Sequence, residues 1–124
     1  MEFFVAMRIP TATQQEHKVA VVNGKPRFYE PADVKAARQK YMSYLSGHAP
    51  AKPIDGPIRL MVKFCFTGER GWKTTKPDTD NMIKMMKDCM TRLGYWHDDA
   101  QVCSEIVEKF YDAHEVVYVR VDKL

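Results

Sequence analysis

The chain has 124 residues, 45% of them apolar and 28% charged, with a formal net charge of +3. That length supports one core and one active site but not two separately folded domains, and the composition excludes a disordered or fibrous chain. The charge is too mild to establish an anionic partner by itself, so the distribution of the charged residues has to decide.

Cys65, Cys89 and Cys103 are odd in number and lack Cys-x-x-Cys spacing, which argues against a disulfide framework or zinc knuckle and points to a reducing cytoplasm. No window approaches the roughly 20 apolar residues that span a bilayer. Glu2 and Arg8 also keep the opening "MEFFVAMRIP" from reading as a signal peptide. No membrane partner is expected.

In chain order, Phe3, Val5, Met7 and Ile9 alternate as a half-buried strand requires. In "HKVAVVNGKPRFYE", Asn23-Gly24 between two strand-like runs predicts a tight hairpin, and Pro26 confines its strand to an edge. Pro31 opens a helix whose stripe, Val34, Ala37, Tyr41, Tyr44 and Leu45, runs to about Gly47. Lys35, Arg38 and Lys40 lie off that stripe, where charges most often form a wet face. After the loop "GHAPAKPIDGP", the clearest strand of the chain places Ile58, Leu60, Val62, Phe64 and Phe66 on one side. It is expected at the centre of the sheet.

"TGERGWKTTKP" has little periodicity and reads as a mobile basic loop carrying Arg70, Trp72, Lys73 and Lys76. A helix follows from about Asp80 to Leu93, burying Met82, Ile83, Met86, Cys89, Met90 and Leu93, and Gly94 stops it by turning left-handed. Two further strands, Val102 to Tyr111 and Val116 to Val121, meet at the turn "DAHE". The expected fold is α+β: one small domain over 1–124, with a mixed sheet of about five strands and helices mainly on one face.

The chemistry concentrates at "KPDTDNMIKMMKD". Asp78 and Asp80 flank Thr79 at the mouth of the second helix, and Lys84 and Asp88 follow at four-residue steps on one helical face. Two readings stand at this point. The acids cap the helix and complement its dipole, with Lys84 in ordinary i,i+4 pairs. Alternatively, three or four carboxylates hold Mg²⁺ or Mn²⁺, hard ions that prefer oxygen. The second reading needs Asp98-Asp99, beyond the helix, to return to Asp78 and Asp80. Calcium-sensor loops are excluded, because Met82 stands at the next ligand position.

The strings "KPDTDN", Lys84, Asp88, "DDAQV" at 98–102 and "EKFY" at 108–111 resemble the RusA family of Holliday-junction resolvases in order and spacing. The resemblance implies a Mg²⁺-dependent endodeoxyribonuclease, with Mn²⁺ as a possible substitute, that nicks four-way DNA junctions symmetrically and leaves a 5′-phosphate. It also implies a homodimer of RusA-like fold without an organic cofactor. Carried over residue by residue, the essential aspartates fall on Asp78, Asp80 and Asp99, the catalytic lysine on Lys84, and Asp98 becomes a supporting ligand. Asn81 and Gln101 match the motif as residues that order the loop and the strand start. Lys109 matches a recurrent position and joins Arg70, Trp72, Lys73 and Lys76 as a DNA-contact candidate. The segment "PTATQQEHK" departs from the family, which commonly has a Lys-Gly-Arg-Pro-Arg type stretch there. The alternatives are a branched-DNA-binding protein without catalysis, or a nuclease for another branched DNA.

Overall fold

The computed structural model describes residues 1–12 and 18–124. His17 and most of "TATQQEH" lie outside the described residues. The chain forms β1 (Glu2–Val5), β2 (Lys18–Val22), β3 (Lys25–Tyr29), α1 (Ala32–Ser46), β4 (Ile58–Thr67) and β5 (Gly71–Trp72). It continues with α2 (Thr79–Arg92), a single 3₁₀ turn at Asp99–Gln101, β6 (Val102–Asp112) and β7 (Val116–Lys123).

Five strands make a mixed sheet in the order β1-β7-β4-β6-β5, with β4 at the centre as its alternation predicts. Only β4 and β6 run parallel, from Ile58 opposite Val102 to Thr67 opposite Asp112. Their link passes through α2, because parallel neighbours require a crossover. The strand count matches expectation but its membership does not. β2 and β3 stand apart as a two-stranded sheet, and the fifth place in the main sheet goes to β5, inside the segment read as an unstructured loop. The β2–β3 turn itself follows the sequence, with Asn23 at φ 52° and Gly24 at φ 74°.

Both helices supply the core on one face. Val34, Ala37, Tyr41 and Leu45 of α1, and Met82, Ile83, Met85, Met86, Cys89 and Met90 of α2, are buried with Ile58, Leu60, Val62 and Phe64 of β4. Tyr44 is a departure: at 42% exposed it sits on the rim of its helix rather than in the core. On the opposite face of the sheet Phe4, Met61, Phe110 and Tyr118 line an open groove. No helix among the described residues is long and apolar enough to cross a membrane.

Arg38 is not a wet-face charge. Its side chain is only 12% exposed, its guanidinium pairs with Glu30 at 2.6 Å, and a second arm pairs with Asp88 of α2. Asp88 also accepts from Arg92 at 3.2 Å. This network ties α1 to α2 and holds the Arg38 pKa above its usual value, chiefly through the hydrogen bonds it donates to Glu30. On the other side of α2, Lys87 reaches Glu105 of β6 at 2.9 Å, which fixes the helix along the strand.

Candidate active site

Asp78 has the extended backbone of a helix N-cap (φ −74°, ψ 148°), but its carboxylate accepts no capping hydrogen bond. Its main-chain oxygen does the backbone work, accepting from Met82 N at 3.1 Å. Asp80 stands in the first turn, where its charge complements the helix dipole. Both carboxylates are exposed, and neither has a hydrogen bond or ion pair among the described residues. Capping therefore does not account for the Asp78 side chain. Lys84 is exposed one turn further along and is likewise unpaired among the described residues, since Asp88 is engaged by Arg38 and Arg92. The i,i+4 pairs that would make Lys84 ordinary do not form.

The loop before Asp78 is held from below. Lys109 of β6 donates from Nζ to the Thr75 oxygen at 2.7 Å and the Pro77 oxygen at 2.9 Å. Lys73 donates to the Thr75 Oγ1 and to the Tyr111 hydroxyl, both at 2.9 Å, and lies 5.0 Å from the centres of the Phe66 and Tyr111 rings. The hydrogen bond from Lys73 lowers the Tyr111 pKa. Two of the five basic or aromatic DNA candidates thus spend their charge inside the protein. Arg70, Trp72 and Lys76 remain exposed, Trp72 by 70%, with its ring edge-on to Phe110 at 6.3 Å.

Asp98 and Asp99 stand at the far end of this arrangement. Asp98 caps the 3₁₀ turn, accepting from Ala100 N at 2.9 Å. Gln101 completes the capping box: its side-chain oxygen accepts from the amides of His97 (2.8 Å) and Asp98 (3.0 Å). Its amide nitrogen donates to the oxygens of Ile54 (2.9 Å) and Gly56 (3.0 Å). Gln101 orders the strand start, as its motif position implies, and His97 is taken up by Asp55 at 2.8 Å. Asp99 is exposed.

Within one chain the fold separates these acids. Lys109 marks the Asp78 end of β6, and Val102, next to the Asp99 turn, lies seven residues earlier, roughly 23 Å away at about 3.3 Å per residue. The 14 residues of α2 run the same way back, about 21 Å of helix. Asp78 and Asp80 therefore sit at one end of α2 and Asp98 and Asp99 at the other. Among the described residues no three His, Cys, Asp or Glu side chains cluster as a metal site.

A family model for "Endodeoxyribonuclease RusA" matches residues 9–122. The chain belongs to the RusA family. It is 28% identical over 124 residues to the "Crossover junction endodeoxyribonuclease rusA" of Lactococcus phage r1t, covering 94% of this chain and 92% of that protein. It is also 33% identical over 118 residues, 82% of each chain, to the "Uncharacterized protein YqaN" of Bacillus subtilis strain 168. The RusA fold expectation holds in the five-stranded mixed sheet with two helices, and the chain stands among the Holliday-junction-resolving endonucleases.

The contacts that sequence reasoning missed are Thr75 and Tyr111, the partners of Lys73, and the Arg38 network. One signal was available for the first: Lys109 and Tyr111 are two apart on a strand and so share a face.

Proposed function

We propose that this RusA-family protein nicks the two symmetry-related strands of a four-way DNA junction at divalent-metal sites assembled between two copies of the chain. The single observation that carries the reading is the pair of exposed, unengaged carboxylates at the mouth of α2, Asp78 and Asp80. Two free aspartates beside an unpaired lysine fit a hard cation and the phosphate it would serve. Mg²⁺ held there, or Mn²⁺ in its place, would supply an activated water and offset charge on the phosphodiester.

The separation of Asp99 from that pair supports a shared site rather than arguing against one. A two-fold pairing that sets α2 of one copy antiparallel to α2 of the other would bring each helix mouth to the opposite end of its neighbour. Asp99 of the partner subunit would then complete the donor set, and a second identical site would arise by symmetry. In this reading Asp78, Asp80 and the partner's Asp99 are the ligands, with Asp98 setting the turn on which Asp99 stands. Lys84 would face the phosphate and offset its charge. Arg70 and Lys76 would contact backbone phosphates, and Trp72 would stack on a base unpaired at the crossover.

The test is complementation on a synthetic four-way junction in Mg²⁺. Asp80→Asn and Asp99→Asn proteins should each bind the junction without cutting it. Mixed and allowed to exchange subunits, they should recover about a quarter of the parent's cutting, because each mixed dimer keeps one site free of substitution. Active single variants would sink the site assignment. Inactive variants that fail to complement would place all three acids in one chain and sink the shared site. Binding without metal-dependent cutting by the parent would favour a non-catalytic branched-DNA protein.

A further inference from the structure

The segment between β5 and α2 carries Asp78 and leads into the helical turn that carries Asp80, but forms no strand or helix of its own. What holds it is β6. Lys109 lies on the face of β6 turned toward the helices and spends two of its three ammonium donors on the main-chain oxygens of Thr75 and Pro77. Pro77, which immediately precedes Asp78, is buried. From the main chain, the Lys109 oxygen accepts the Lys73 amide at 3.3 Å. The same residue thus grips the segment near its start and at its end.

A lysine contacting DNA would keep its ammonium in solvent or on a phosphate, as the exposed Arg70 and Lys76 are free to do. Lys109 instead satisfies two carbonyls that the turn leaves without strand or helix partners. We propose that Lys109 is a positioning residue for the acidic site. Its bracket on Thr75 and Pro77 fixes where α2 begins, and so where Asp78 and Asp80 stand, without Lys109 touching DNA. The proposal rests on the reading of those two aspartates as ligands, and it departs from the DNA-contact role that the sequence resemblance suggests.

Lys109→Met keeps most of the stem and removes the donors. In the full-length protein, amide hydrogen exchange across 75–80 should accelerate while the core of α2 stays protected. Mn²⁺ binding, followed by electron paramagnetic resonance, should weaken by about tenfold, as expected when the support of a metal ligand is lost. Junction binding in EDTA should stay within about twofold of the parent, with the same salt dependence. Lys109→Arg, which retains charge and donors, should protect the segment better than Lys109→Met. Unchanged exchange over 75–80 would overturn the proposal. So would weaker binding in EDTA with a salt slope lower by about 1, the mark of a lost phosphate contact. If Lys109→Met does not fold, Lys109→Gln, which is uncharged and one atom shorter and so does not reach both carbonyls, is read in the same way. A parent protein that cut no junction in Mg²⁺ would sink the nuclease reading, while the exchange and EDTA-binding measurements would still decide the role of Lys109.

Discussion

At the scale of single residues, the sequence does not separate charges that are available from charges that are spent. Arg70, Lys73, Lys76 and Lys109 are all basic residues near one acidic motif, yet Lys73 and Lys109 are hydrogen-bonded within the protein. Their state depends on partners 34 to 38 residues away along the chain, such as Lys73 with Tyr111 and Lys109 with Thr75. Tyr41 shows the same limit. Its place on the apolar stripe was legible, but its hydroxyl is buried with no hydrogen-bond partner among the described residues. Burial pushes its pKa well above the ordinary tyrosine value, with a smaller contribution from Cys89. A buried polar group without a partner costs stability. Tyr41→Phe should therefore leave the stability unchanged or raise it by up to about 1 kcal/mol in chemical denaturation. A loss larger than that would mean the hydroxyl is bonded in solution.

At the scale of elements, periodicity served well wherever one face meets the core. The α2 helix spans Thr79–Arg92 against an expected Asp80 to Leu93, and β4 alternates as read. It failed at β5, whose two residues carry no repeat and are held only by pairing with Phe110 and Tyr111. The end of α2 is a local matter and was legible. Gly94 has φ 82°, so the chain leaves the helix through the left-handed region and delivers Tyr95 and Trp96 to the core. The Tyr95 amide is bonded to the Met90 oxygen at 3.0 Å. A side chain at position 94 would strain that exit. Gly94→Ala should cost about 1 kcal/mol of stability, read from the denaturation midpoint, with no change in the junction-binding surface. An alanine variant as stable as the parent would show that the turn relaxes without penalty.

For the whole molecule, the consequence of the proposed shared site is that activity depends on assembly. A chain that needs a partner's Asp99 should lose cutting on dilution faster than in proportion to its concentration. Rate per chain should fall where sedimentation shows the dimer giving way to monomer. A rate per chain that held constant through that transition would assign the complete site to one copy. The sequence by itself determined the family, the order of the strands and helices apart from β5, the central strand and the acidic motif at the mouth of α2. Those features rest on neighbours within a few positions, through side-chain alternation, helical repeat and turn chemistry. Only the tertiary structure decided that β2 and β3 leave the main sheet, that Arg38 joins the two helices, and that Lys109 supports the loop before Asp78. It also set Asp99 at the opposite end of α2 from Asp78 and Asp80. The reason is geometric: a separation across an intervening helix depends on the path by which the chain returns, and β6 returns parallel to β4 with its start at the far end.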